Sequence, residues 1–204
     1  MKEKFIKSTI ILTIGGLLTK ILGMVIRIIT TRIIGLNGIG LYMMIMPTYG
    51  LFITIATLSL PIDISKLVSE NTRNNKNVIL GIIPIAMIID IVLVIVLLLF
   101  SKVIAIDLLK NEILYTPILA MSVTLPFITL SNIIRGYFFG KEKMVPHVTS
   151  NIIEQIIRIV MTILITPHLL KYGVISAITG IILYNVISEI VSTLILFFFI
   201  PKNN

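Results

Sequence analysis

The chain of 204 residues has no cysteine and only two histidines. The absence of cysteine excludes disulfides, thiolate metal sites and cysteine nucleophiles. The two histidines, His147 and His168, are too far apart in the sequence to indicate a metal site. Charged residues are also scarce, at 13% of the chain, whereas an ordinary soluble domain has about 25%. We therefore predict a protein without a metal site or a cofactor.

Apolar residues make up 57% of the chain and the mean hydropathy is +1.10, which places it among membrane-embedded proteins. The formal charge is +8, but the basic residues form no long run and lie mainly between apolar segments. This distribution is typical of membrane orientation signals and argues against a nucleic-acid partner. The start, MKEKFIKSTIILTIGGLL, resembles a signal peptide, but its apolar part exceeds the usual ~7–15 residues and no A-x-A cleavage pattern follows. We interpret it as an uncleaved first span.

A helix that crosses a bilayer needs about 20 mostly apolar residues, and six segments meet this requirement. The segments are 8–34, 39–67, 78–100, 113–139, 147–169 and 173–200. Glycine turns or charged stretches separate them, and the weakest break lies between Pro167 and Gly173. The sequence therefore predicts an all-α, polytopic membrane protein whose residues 1–204 form one six-helix lobe.

An even number of spans places both termini on one side of the membrane, and the basic residues indicate which side. One side holds Lys2, Lys4, Lys7, Lys66, Arg73, Lys76, Arg135, Lys141, Lys143 and Lys202. The other side holds only Arg32, Lys102, Lys110 and Lys171. Because basic residues accumulate on the cytoplasmic side, we expect a multi-pass protein of the cytoplasmic membrane with both termini in the cytoplasm.

The first predicted helix carries two cations within its apolar run. Lys20 and Arg27 are seven residues apart, so they share a helix face and lie about 10 Å apart along the axis. The same side carries Thr9, Thr13, Gly16 and Thr31. A cation at the membrane centre costs about 2.5–3.5 kcal/mol, so both should face a bundle interior or a watery cavity. They either bind an anion such as pyrophosphate, or pair with the buried acids Asp63, Asp90 and Glu154 and merely orient helices.

The fifth predicted helix repeats this pattern in NIIEQIIRIVMT, from Asn151 to Thr162. Glu154 and Arg158 are four residues apart, so they can pair within their own helix, and this structural interpretation is favoured. Asn151, Glu154 and Arg158 also remain candidates for the lining of the same cavity, where Arg158 could exchange partners.

Three further positions suggest a moving part at the end of the fourth span. Arg135, Gly136 and Gly140 belong to the turn RGYFFGKEKMVP. The turn is either an orientation signal at a helix end or a gate hinge in which the glycines absorb the backbone change. We find no catalytic motif and no phosphate-binding glycine loop, so an enzyme is not predicted.

Three blocks of the chain resemble a known family. They are KILGMVIRIITTRIIGLNGIGLY, PTYGLFITIATLSLPIDISKLVSE, and RGYFFGKEKMVP followed by SNIIEQIIRI. In this order they resemble the stage V sporulation protein B group, a polysaccharide-biosynthesis branch of the multidrug/oligosaccharidyl-lipid/polysaccharide flippase superfamily. Lipid II flippases and multidrug exporters belong to the same superfamily. The blocks cover most of the first five predicted spans, and the sixth span matches only in character.

The resemblance implies two six-helix lobes around a central cavity that move lipid-linked glycans across the membrane by alternating access, in sporulation or cell-wall peptidoglycan synthesis. In the related lipid II flippases, basic residues of the first helix line that cavity, and Lys20 and Arg27 lie in the corresponding block. Family members carry a second lobe, which we do not expect within these 204 residues, and paired repeats normally form the substrate site between them. We therefore expect a fragment, half of a split gene or a dimerising subunit, with a second lobe as its partner.

These observations favour a flippase lobe for an anionic, polyprenyl-pyrophosphate-linked saccharide. A cation-coupled multidrug exporter is an alternative, and it would depend on Asp63, Asp90 and Glu154. A second alternative is a non-transporting scaffold for cell-wall enzymes, which would depend on the loop residues Lys141 and Lys143. The sequence does not identify the glycan or the coupling ion.

Overall fold

The computed structural model describes the backbone of residues 2–57, 60–70 and 75–199, and the side chains of residues 6–57, 60–70 and 80–199. Within these ranges the chain is almost entirely helical and has no strand, which confirms the predicted all-α membrane fold. The helices are α1 (Lys2–Thr57), α2 (Leu60–Glu70), α3 (Asn75–Val103), α4 (Tyr115–Gly140), α5 (Met144–Leu170) and α6 (Val174–Phe198). A π-helical turn and a 3-10 turn connect α3 to α4.

Five helical segments of the described chain are long and apolar enough to cross a membrane. They are Ile6–Glu70, Leu80–Leu108, Glu112–Gly140, Met144–Leu170 and Val174–Phe198. The predicted number of six spanning helices is therefore wrong. The difference lies at the predicted break of residues 35–40, where Gly35 alone leaves the helical conformation and the residues on both sides of it are helical, so no loop separates the first two predicted spans.

Helix α1 folds back on itself at Gly35. The residue has φ 72° and ψ 178°, a conformation outside the helical region that glycine adopts without a steric penalty. Arg27 Nη2 lies 3.8 Å from Met43 Sδ, although a straight helix would hold the two Cα atoms about 24 Å apart. Helix α1 therefore consists of a first arm, residues 2–34, and a second arm, residues 36–57, that contact each other.

The centre of the bundle is formed by α4 and α6. Both helices bury many side chains, including Ile118, Met121 and Leu125 of α4 and Ile178 and Ile182 of α6. The first arm of α1 packs against α5, and α2 packs against the end of α4. Apolar side chains on the outer faces of the first arm and of α3 remain exposed, as expected of helices that contact lipid.

Two contacts define the ends of the bundle. The Ser8 hydroxyl donates to the Glu142 carbonyl at 3.1 Å, so the beginning of the first arm lies beside the turn between α4 and α5. At the opposite end, a Cβ on Gly38 would lie 3.1 Å from Val174 Cγ1, so the Gly35 bend lies near the turn between α5 and α6. We call these the Glu142 end and the Gly35 end.

Candidate functional site

A cavity of about 260 Å³ lies between the two arms of α1 and helices α5 and α6. Its polar lining consists of Arg27, Thr30, Tyr42, Gln155, Arg158, Thr162, Tyr184 and Asn185. Apolar side chains such as Ile39 and Ile181 complete the wall. A mostly apolar cavity with a few convergent polar groups is the usual form of a ligand site.

Helical spacing explains why these polar residues meet. On α5, Gln155, Arg158 and Thr162 are three and four residues apart, so they lie on one face of the helix. On the first arm, Arg27 and Thr30 are likewise three residues apart. The cavity also borders Gly23, where an added Cβ would meet no atom within 4 Å. This glycine therefore leaves the wall open one turn before Arg27.

Arg27 lies where the cavity meets the outer surface of the bundle. Its side chain is exposed, and it also lines an outer groove of about 440 Å³ together with Thr31 and Arg32. The guanidinium reaches the sulfur of Met43, and no carboxylate of the described residues forms an ion pair with it. Among the described residues, Arg27 therefore has no carboxylate as a counter-ion.

Lys20 is not brought to the cavity. Its side chain is exposed on the first arm, on the same side as Thr13 and Gly16, which are exposed as well. The hydroxyl of Thr13 donates to its own helix at the Thr9 carbonyl. The polar stripe predicted for the first helix therefore forms an open face, and only its Arg27 portion borders the cavity.

A buried ion network adjoins the cavity and joins α4, α5 and α6. Arg135 Nη2 lies 2.7 Å from Glu154 Oε2 and 3.3 Å from Glu189 Oε2. Arg158 Nη2 donates to Glu154 Oε1 at 2.6 Å, and its Nε donates to the Ser188 hydroxyl at 3.2 Å. Both oxygens of Glu154 are therefore used, one by each arginine.

The network is electrically balanced. Two arginines face two carboxylates, so the formal charges cancel inside the bundle. Arg135 also donates to the Ser192 hydroxyl at 3.2 Å, which adds a neutral partner. Removing one member of such a network leaves an uncompensated buried charge, which typically costs about 3–5 kcal/mol.

The predicted site residues of α5 have different outcomes. The expected pair of Glu154 and Arg158 within one helix is confirmed. Arg158 also lines the cavity, whereas Asn151 does not line it, because its amide lies 3.3 Å from His147 Nε2 instead. Glu154 is buried behind Arg158, and its carboxylate belongs to the ion network.

The gate residues predicted at the end of α4 occupy two environments. Arg135 is a member of the ion network. Gly136 and Gly140 contact α2. A Cβ on Gly136 would lie 2.9 Å from the Pro61 carbonyl oxygen, and a Cβ on Gly140 would lie 2.7 Å from the Ser65 carbonyl oxygen. These glycines allow two backbones to approach closely, in the manner of small residues at membrane helix interfaces. A hinge at this position remains a prediction.

The acids that were alternative partners of Lys20 and Arg27 lie elsewhere. Asp63 is exposed on α2, and Asp90 is buried between α3 and α4, where its Oδ1 accepts from the Thr129 hydroxyl at 3.0 Å. Glu154 pairs with the two arginines of the network. The alternative prediction, that Lys20 and Arg27 pair with these acids, is therefore wrong for the described residues.

Sequence reasoning missed Glu189, although the signal was present. Asn185, Ser188, Glu189 and Ser192 are spaced three and four apart in an otherwise apolar helix. This is the same type of polar stripe that identified the candidates on the first and fifth predicted helices. The spacing indicates a face directed toward polar partners, but it does not identify Arg135 as one of them.

The helices and the polar cavity define a multi-pass membrane protein with ionisable groups inside its bundle. The polysaccharide biosynthesis protein family matches the chain over residues 5–204, so the chain belongs to this family. No solved structure shows a significant match.

Three curated relatives come from Bacillus subtilis (strain 168). Stage V sporulation protein B is 36% identical over 201 residues, which cover 96% of this chain and 39% of the relative. Sporulation protein YkvU is 31% identical, with 77% of this chain and 35% of the relative covered. Lipid II flippase MurJ is 26% identical, with 84% and 34% covered. The chain thus spans between a third and two fifths of the length of these relatives.

Proposed function

We propose that this chain forms one lobe of a flippase that carries an anionic, polyprenyl-pyrophosphate-linked saccharide across the cytoplasmic membrane. The observation that carries this proposal is Arg27, an arginine without an ion-pair partner among the described residues, at a cavity within a membrane bundle. Ionisable groups inside membrane proteins usually mark substrate or ion pathways because burying them is costly.

The chemistry of the cavity suits a phosphate group. Arg27 and Arg158 both line it, and arginine binds phosphate oxygens through paired, charge-assisted hydrogen bonds. Neutral polar side chains such as Gln155 and Asn185 line it as well, beside apolar ones such as Ile39 and Ile181. The family and the name of the relative MurJ, a lipid II flippase, support the same class of substrate.

The open face of the first arm supports the need for a second lobe. Lys20 and Gly16 are exposed on this face, which would otherwise meet lipid. Relatives that are more than twice as long provide sequence for a second lobe. A substrate path at the interface of two lobes is the common arrangement in transporters with repeats. The partner is either a further part of the same protein, a separate chain or a second copy.

The orientation proposed for this lobe places the Glu142 end in the cytoplasm. The beginning of the first arm and the turn between α4 and α5 lie at this end and carry Lys7, Lys141 and Lys143. Because the chain has no cysteine, Ser8→Cys and Lys171→Cys each create a single reactive thiol. An impermeant maleimide should label Lys171→Cys in intact cells and Ser8→Cys only in lysed cells. The reverse pattern would overturn the orientation.

Export of a lipid-linked saccharide tests the transport proposal. For this assay, a hybrid transporter is made in which the chain replaces the corresponding part of stage V sporulation protein B. The amount of lipid-linked saccharide that reaches the outer leaflet is then measured. We expect Arg27→Glu to abolish export, because it puts a negative charge where the phosphate would bind. The matched control, Lys171→Glu, makes the same charge change in an exposed turn and should retain export. Normal export by Arg27→Glu at normal expression would reject the proposal.

Cation-coupled drug export receives less support. That chemistry requires an acid accessible to a proton or a sodium ion from a cavity. Glu154 is occupied by two arginines, and Asp90 is buried with Thr129 and does not line the cavity. The basic cavity therefore favours an anionic substrate.

A further inference from the structure

Arg158 is the point where the buried ion network reaches the cavity. We propose that the cavity binds a phosphate-type anion between Arg27 and Arg158, and that Glu154 occupies Arg158 while the anion is absent. On binding, Arg158 exchanges the Glu154 carboxylate for the phosphate oxygens. This inference rests on the proposed function only for the choice of phosphate as the anion.

The exposures of the paired side chains support an exchange at Arg158. The side chain of Arg158 is 27% exposed, whereas that of Glu154 is only 6% exposed. Among the described residues, Ser188 accepts a hydrogen bond from Nε of Arg158 and Glu154 accepts one from its Nη2. None of these residues accepts a hydrogen bond from Nη1 of Arg158. A guanidinium has five N–H donors, so Arg158 retains donors for an incoming anion before it leaves Glu154.

The network limits the cost of the exchange for Glu154, although Arg135 is then shared between two carboxylates. When Arg158 turns to a ligand, Oε2 of Glu154 remains 2.7 Å from Arg135 Nη2. Arg135 is in turn close to Glu189, so no carboxylate of the network loses all its cations. An isolated pair of Glu154 and Arg158 would leave a buried carboxylate without any cation, which is strongly destabilising. The second arginine thus allows the first to be released.

The lining of the cavity indicates which part of a ligand it recognises. The cavity measures about 260 Å³ and is open at Arg27, where it meets the outer surface of the bundle. Its two arginines can bind a phosphate or pyrophosphate group, whereas any sugar rings would extend through this opening. We therefore expect this lobe to recognise the phosphate end of its substrate and to be indifferent to the identity of the saccharide.

Binding of pyrophosphate to the purified chain in detergent tests the inference. Inorganic pyrophosphate and a short prenyl pyrophosphate are titrated by calorimetry into the unmodified chain and its variants. We expect Arg158→Gln and Arg27→Gln each to weaken binding about tenfold or more, because each loses charge-assisted hydrogen bonds. Lys171→Gln, the matched control, should bind normally. Unchanged affinity in both cavity variants, or no binding by the unmodified chain, would overturn the site.

The decisive variant is Glu154→Gln, because it distinguishes exchange from orientation. If Glu154 competes with the anion, its neutralisation should tighten binding by roughly threefold or more. If Glu154 only orients Arg158, Glu154→Gln should weaken binding as Arg158→Gln does, and weaker or unchanged affinity overturns the exchange. If the prenyl pyrophosphate binds more tightly than inorganic pyrophosphate, the site is assigned to a lipid carrier. If the two bind equally, the site is assigned to free pyrophosphate.

A measurement on the unmodified chain covers the case in which Glu154→Gln does not fold. The chain has five arginines, so their side-chain Nε–H signals can be resolved by NMR. The signal of Arg158 is assigned by its loss in Arg158→Lys. We expect saturating pyrophosphate to shift this signal. A constant Arg158 signal would overturn the exchange, whereas failed export with intact pyrophosphate binding would reject only the transport proposal.

Discussion

Removal of Arg135 should be among the most destabilising single changes in this chain. Glu189 is only 5% exposed at its side chain, and Arg135 is its ion-pair partner among the described residues. Arg135→Met would leave Glu189 without that partner, whereas Glu154 would keep Arg158. Loss of one member of a buried ion pair costs about 3–5 kcal/mol, so we expect a loss of this size in the free energy of unfolding.

Unfolding by sodium dodecyl sulfate in mixed micelles, followed by far-ultraviolet circular dichroism, measures this loss. The double variant Arg135→Met/Glu189→Met removes both charges and should recover most of the stability, since apolar replacement of a buried pair is often neutral. Arg135→Lys keeps the charge and should lose less than Arg135→Met. A loss below about 1 kcal/mol for Arg135→Met, or additive losses in the double variant, would refute the assignment of the network as coupled.

Two further predictions concern helix contacts. Gly140→Ala should destabilise the chain by about 1–3 kcal/mol in the same assay, because the new Cβ would lie 2.7 Å from the Ser65 carbonyl oxygen. Gly16→Ala is the matched control and should be neutral or slightly stabilising, since its Cβ would meet nothing within 4 Å. Thr129→Val should cost about 1–3 kcal/mol, because it deprives the buried Asp90 carboxyl of its hydrogen-bond donor. Equal stabilities of the two glycine variants, or an unaffected Thr129→Val, would contradict these assignments.

Most of the fold could be predicted from hydropathy, because a membrane span must be long, apolar and helical. The predicted spans 147–169 and 173–200 lie close to the observed α5 and α6. The predicted break between the first two spans lies where the chain reverses, but the glycines and asparagine around Gly35 predicted a loop of several residues there. In the structure a single residue with positive φ is sufficient to reverse the chain, and the residues after it return directly to helix.

The candidate site could be predicted in part. The spacing of Glu154 and Arg158 on one helix determined their pairing, and periodicity identified Arg27. Periodicity does not determine which neighbour covers a helix face, so the sequence could not separate Arg27 at the cavity from Lys20 on the open face. The partnership of Arg135 with Glu189 joins residues 54 positions apart, and such a contact depends on tertiary packing.

Water access at residue 27 tests the central claim most directly. Arg27→Cys introduces a single thiol into a chain that has none, and Ile91→Cys provides a control on the exposed apolar face of α3. Only a hydrated thiol ionises and reacts readily with an anionic methanethiosulfonate reagent. In membranes that contain the chain, our account predicts rapid modification at position 27 and little reaction at position 91. Equal lack of reaction at both positions would contradict it, because residue 27 would then lie among acyl chains.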